Sequence, residues 1–301
     1  MKPTVEDRPP LSTIARRDPT VPTFDTPTPV SVTLDLVAGD VELTASDRTD
    51  TIVEVRPSDA AADADVRAAE QIRIEYADGR LLVKAPRGRG LGLFGRSGSI
   101  DVRVCLPTGS SVTGTAALAT FRGTGRLGAC RIRTASGEVH LEHAAELDLS
   151  TSAGTVVVDH ASGPAQITTG SGRVRVGGVD GDATIRNSNG DSWVGAITGA
   201  LRVKAANGDI TVERAGGDVH AATANGDVRV GTVARGNVSV SSGCGALDIG
   251  VRTGTAALLD LHTQHGRLLN QLESCPAPEQ SAETVRVDAR TGYGNVVIRR
   301  A

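Results

Sequence analysis

The chain has 301 residues, a formal net charge of −3 and 36 glycines, but only one Trp, two Tyr and three Phe. A core built on aromatic rings is excluded, and the small net charge excludes a strong general attraction to nucleic acid or to an acidic membrane. No run approaches the ~18 apolar residues of a transmembrane helix, and no apolar stretch of signal-peptide type opens the chain, so a cytoplasmic protein is the default expectation.

Residues 1–27 hold six prolines among charges and predict a disordered lead-in. Alternation begins at Val30, where Val30, Val32, Leu34 and Leu36 are apolar at every second position, as in a half-buried strand. Gly39-Asp-Val-Glu-Leu follows. The Ala-rich stretch 59–71 is the one good helix-forming run and predicts a short helix. Strands are predicted at 72–76 and 81–84, joined by a turn at Asp78-Gly79. Residues 86–99 combine glycines, arginines and Leu91-Gly-Leu-Phe. They read first as a disordered surface loop, and otherwise as a tip for docking or peripheral membrane contact. Alternation returns at 100–106. Residues 28–111 are therefore expected to form a β-rich N-terminal cap with its helix and Gly-rich loop, and 112–301 a repeat array with C-terminal capping coils, all in one continuous domain. A Pro-rich loop is expected at 274–282, and the segments 59–99 and 251–290 are the candidates for end caps.

The array declares itself through glycine. Gly154, Gly163, Gly172, Gly181, Gly190 and their successors to Gly226 are nine residues apart, and every second one opens a near-copy of one unit, as in Gly208-Asp-Ile-Thr-Val and Gly226-Asp-Val-Arg-Val. Counting from such a glycine, apolar residues fall at +2, +4, +7, +11 and +13; for Gly172 these are Val174, Val176, Val179, Ala183 and Ile185. Two short alternating runs per eighteen residues mean two short strands per coil, each with one inward face. The expected fold is all-β: a parallel β-solenoid (β-helix) of about 18 residues per coil, right-handed, with a β-rich N-terminal cap carrying a short helix. Glycines at zero and at +9 are both expected at positive φ. Asn189, Asn207 and Asn225 should stack into an Asn ladder. The narrow inward side chains leave no interior room for a ligand.

Candidate chemistry is sparse. A six-residue acyltransferase repeat does not fit the apolar spacing, and the calcium-binding nonapeptide with its two glycines and Asp is absent. Asp191, Asp209 and Asp227 should stack at +1; a cation would relieve their repulsion, but screening by solvent and nearby Arg is the simpler expectation. Glu142-His143 and Asp159-His160 occupy equivalent places in adjacent coils and are the candidate zinc corner, against the plainer reading of a solvated turn. No triad or phosphate-cradling loop stands out, and Trp193 stands alone where a carbohydrate platform would need several rings. Cys105, Cys130, Cys244 and Cys275 share no metal spacing and read as reduced structural thiols. No catalytic, metal or cofactor-binding residue is assigned.

The stretch Val32-Thr-Leu-Asp-Leu-Val-Ala-Gly-Asp-Val, the recurrent Asn-Gly-Asp units and the closing Gly-Tyr-Gly-Asn-Val-Val-Ile resemble the bacterial “putative adhesin” β-strand-repeat family, a domain of unknown function of the 4097 type. The likeness runs from about Pro29 to Arg300, and 81–86 with 93–96 resemble actinobacterial members. The resemblance implies a β-solenoid with no established enzymatic activity and no functional residues to carry over. A distant architectural similarity to the bactofilins, which polymerise, adds a scaffold role. The expected function is thus a non-enzymatic scaffold or adhesin-like interaction protein, acting on a protein partner or on itself and not on nucleic acid. Binding or processing of a polysaccharide, or weak metal binding, is the alternative.

Overall fold

The computed structural model of the chain describes residues 21–86, 98–273 and 283–301. The loop at 86–99, read first as disordered surface and otherwise as a docking tip, and the Pro-rich loop at 274–282 therefore fall almost wholly outside the described residues, as does Cys275.

Alternation does what it promised. In the coil opened by Gly172, the strands Val174–Val179 and Ala183–Asn189 turn Val174, Val176, Val179, Ala183 and Ile185 inward, and all five are buried. Eighteen residues later the chain returns to the same place, so like sits over like in parallel register: Val156 beside Val174, Ile210 beside Val228, Ile167 beside Ile185. Two parallel sheets face each other across a core of Val, Ile, Leu and Ala. Among the described residues Phe121 is the one aromatic side chain fully buried within it.

The glycine ruler turns out to have two physical causes. At the zero position the backbone is left-handed, with φ of 143° at Gly172 and 130° at Gly208. The +9 glycines, expected to share this, do not: Gly217 lies outside the left-handed region. Its requirement is closeness, since a Cβ there would lie 2.6 Å from the Gly199 carbonyl oxygen of the previous coil.

A polar column, at +15 for Thr169, Asn187 and Thr223 and in register with them in the other coils, went unread in the sequence. Thr151, Thr169, Asn187, Thr223, Ser242 and Thr291 are buried there. Three of them donate to carbonyls that the glycine turn leaves open: Thr223 Oγ1 to Gly208 O (3.2 Å), Ser242 Oγ to Gly226 O (2.9 Å) and Thr291 Oγ1 to Gly245 O (2.9 Å), whereas Thr151 turns to Ala153 O and Thr169 Oγ1 has no partner among the described residues. Ala205 interrupts the column and has nothing to offer Gly190. Asn187, with two amide hydrogens, covers both places: its Nδ2 reaches Gly172 O at 3.0 Å and Gly190 O at 2.8 Å. Asn187→Thr should keep the first bond and lose the second, lowering stability by about 1–3 kcal/mol. Adding Ala205→Thr should restore most of that loss in a chemical-denaturation double-mutant cycle; purely additive effects would contradict the assignment.

Both ends are interleaved. At the N-terminal end Ser31–Asp35 and Ala38–Ser46 are overlaid by Arg80–Lys84 and Ile100–Pro107, which come later in the chain. Antiparallel strands then close this end: Arg73–Ala77 pairs with Arg80–Lys84, and Asp50–Pro57 with Ile100–Pro107. Thr23–Asp25, expected in the disordered lead-in, is a short strand on Asp50–Pro57, and it brings Phe24 to within 4.9 Å of the Tyr76 ring. The helix is Asp63–Glu70. At the other end, the last strands in sequence are not the last in space. Thr284–Tyr293 sits between Gly236–Cys244 and Ala256–His265. The outermost coil is 256–270, within the segment 251–290 named as a candidate end cap, and the last strands in sequence, at 284–300, form the penultimate layer.

Candidate functional site

The corners hold the sequence-predicted ladders. Asn207 Nδ2 donates to Asn189 Oδ1 at 2.8 Å and Asn225 Nδ2 to Asn207 Oδ1 at 2.9 Å, so the Asn ladder forms. Asp191, Asp209 and Asp227 do stack, exposed at the corner, and backbone donors hold them there. Each carboxylate accepts the next coil's backbone N–H: Asp209 N to Asp191 (3.1 Å), Asp227 N to Asp209 (2.8 Å), Ala246 N to Asp227 (2.7 Å). These oxygens are staples between coils.

The candidate zinc corner is brought together only in part. The His143 and His160 rings are neighbours, centroids 5.5 Å apart and tilted by 47°. Glu142, however, turns to accept the Gly125 N–H at 2.7 Å, and His160 Nε2 is held by Asp180 at 2.9 Å. Among the described residues no group of three or more His, Cys, Asp or Glu is arranged to hold a metal.

Trp193 lies on the outer face of the first sheet, with the Arg175 guanidinium 4.2 Å from its ring and its Nε1 3.2 Å from Glu213 Oε1. Cys105, Cys130 and Cys244 are unpaired; burial pushes the Cys130 thiol up to about 12, leaving it an inert core side chain.

The C-terminal end is where the two ends of the stack part company. Leu259 and Leu261 stand in register with Val287 and Ala289, and Leu268 with Val296, so they extend the core columns by one layer. Val287, Ala289 and Val296 are fully buried, whereas Leu268 is 49% exposed; Leu258, beside the outward-facing Arg286, is 66% exposed. At the opposite end Leu81 and Val83 are fully buried beneath the antiparallel strands. Among the described residues nothing pairs with the outer edge of Ala256–His265. This open cross-section of the core was missed in the sequence, because the interleaving assigns the outermost place to a segment that is not last in the chain. The signal was present in Leu259, Leu261 and Leu268, which repeat the spacing of Val287, Ala289 and Val296.

No curated protein matches the chain. Among solved structures it is similar to a “putative lipid binding protein” from Parabacteroides distasonis (13% identity over 93% of this chain and 96% of that one, TM-score 0.38). It is also similar to “putative adhesins” from Parabacteroides merdae (11%, 94% and 95%, TM-score 0.34) and Bacteroides fragilis (11%, 93% and 98%, TM-score 0.29). Scores this low carry no argument about this chain. The family described as Toastrack DUF4097 matches residues 38–265. That span is well over half of the sequence, and the chain belongs to the Toastrack DUF4097 family.

Proposed function

We propose that this solenoid is a rigid, non-enzymatic, adhesin-like interaction module that pairs with a second copy of itself through its C-terminal end. The observation that carries the reading is the core cross-section at 256–270, which none of the described residues covers: Leu268 is exposed on a core column, Leu258 and Leu269 are exposed beside it, and the strand edge has no partner among the described residues. Such an edge offers a row of free N–H and C=O groups, and apolar columns ending at it gain from burial. A second copy presents the same columns at the same spacing, so a two-fold end-to-end pair is self-complementary. The antiparallel strands over the N-terminal end oppose growth into a filament, which supports a closed dimer over a polymer.

Light scattering on the full-length protein across a concentration series tests this. The expected result is a monomer-to-dimer transition that stops at two. Leu258→Glu with Leu268→Glu should return the protein to a monomer with its strand content intact. A monomer at every concentration, or unlimited growth into rods, would overturn the reading.

A further inference from the structure

The outer face of the second sheet carries an uneven distribution of charge. Near its N-terminal end Asp148 pairs with Arg131 at 3.0 Å and Arg133 at 3.7 Å. Near its C-terminal end Arg290 pairs with Asp260 at 3.2 Å and Asp288 at 3.1 Å. Between them, Arg186 stands in register beside Lys204, and Arg202 beside His220. Arg202 and Lys204 are two apart on one strand and so share a face. Among the described residues none of Arg186, Arg202 and Lys204 has an ion-pair partner.

The lattice of the sheet fixes their spacing. Neighbouring strands lie ~4.8 Å apart and alternate residues ~6.6 Å apart along a strand, so the three cations and His220 occupy one compact patch. Thr184 and Thr168 flank it on one side, Ser239 and Ser241 on the other. A shallow hollow of about 410 Å³ opens along its Arg202–His220 side, lined by Thr184, Arg202, His220 and Ser239 and, toward the corner, by Asp182 and Asp218. The carboxylates at its rim are already engaged: Asp182 accepts Ala200 N–H and Asp218 accepts Asn237 N–H, each at 2.8 Å. Partial burial, and then Arg202 and Lys204, hold the His220 imidazole below its ordinary value. Of the strands packed around it, Leu201–Asn207 presents Arg202 and Lys204, while Gly236–Cys244 presents the uncharged Ser239. Asp218 is at its own corner, and Asp288 lies one coil beyond Ser239, engaged with Arg290.

We propose that this face binds a linear anion bearing two or more phosphate groups, seated across Arg186, Arg202 and Lys204 with His220 at its edge. Unpaired cations attract any anion; the surrounding hydroxyls favour phosphate, whose several acceptor oxygens take guanidinium, ammonium and O–H donors together. A lipid surface is disfavoured, because among the described residues no large apolar side chain is exposed on these coils. An acidic peptide supplies carboxylates, which have fewer oxygens to share.

The experiment is titration of sodium tripolyphosphate into the full-length protein, followed by NMR of the histidine side chains. Tripolyphosphate should shift His220, leave His143 and His160 unmoved, and raise the titration midpoint of His220, since a bound anion favours imidazolium. Binding should weaken as salt rises. Arg202→Gln with Lys204→Gln should weaken it at least tenfold, whereas Arg229→Gln, on the other sheet beside Asp248, should leave it unchanged. The proposal is overturned by an unmoved His220, by equal loss in the Arg229 control, by equal binding of a poly-glutamate of matched charge, or by binding to phosphatidylglycerol vesicles alone.

Discussion

Replacing Gly208 by valine should lower the midpoint of thermal unfolding by about 10 °C or more, corresponding to a loss of roughly 3–5 kcal/mol. Two costs combine. The backbone at Gly208 has φ of 130°, which a β-branched residue resists. A Cβ would also stand 2.2 Å from the Gly190 carbonyl oxygen and 2.5 Å from its carbon, both backbone atoms of the coil below. Backbone atoms cannot swing aside as a side chain can, so the two coils must separate. Gly254 separates the two costs: its φ is 83°, but nothing lies within 4 Å of a Cβ built there. Gly254→Val should therefore cost only the conformational part, about 1–2 kcal/mol. Equal melting shifts for the two variants would remove coil stacking as the reason for the glycine period.

Ending the chain after Glu283 should damage it far more than the loss of a terminal segment suggests. Thr284–Tyr293 and Val296–Arg300 are an inner layer, and Val285, Val287, Ala289, Val296 and Ile298 are all buried within it. Their removal forfeits on the order of 8–12 kcal/mol of apolar burial and strands the 256–270 coil with no layer beneath it. Limited proteolysis should then cut within 256–270 while leaving the central coils intact, and thermal unfolding should begin at lower temperature. Full protection of 256–270 in the shortened chain would mean that this coil docks directly on Gly236–Cys244, against the interleaved order.

The central coils were legible because their cause is local and repeated. Val174, Val176, Val179, Ala183 and Ile185 state the inward faces outright, and Asn189, Asn207 and Asn225 state the ladder. What stayed hidden depends on which coil lies next to which. The +9 glycines look like the zero glycines in sequence, and only the backbone tells them apart: Gly208 is left-handed and Gly217 is not, while both lie against a carbonyl of the previous coil. Thr223 and Ser242 look like outward polar residues until the Gly208 and Gly226 carbonyls are seen to need them. The order of coils at the ends is a non-local fact, since Thr284–Tyr293 can pair on either edge. The cationic patch likewise arises from residues about eighteen apart, Arg186, Arg202, Lys204 and His220, and the lack of an ion-pair partner for its three cations among the described residues is a property of neighbouring strands together.

The most direct measurement is amide hydrogen exchange of Ala256–His265 in the full-length protein at high and low concentration. If the uncovered end pairs with a second copy, the outward-pointing amides of this strand gain protection as concentration rises, and Leu258→Glu with Leu268→Glu abolishes the gain. The strand Val174–Val179, deep in the stack, should be protected equally throughout. Exchange in Ala256–His265 that is the same at every concentration would contradict an open, self-pairing end.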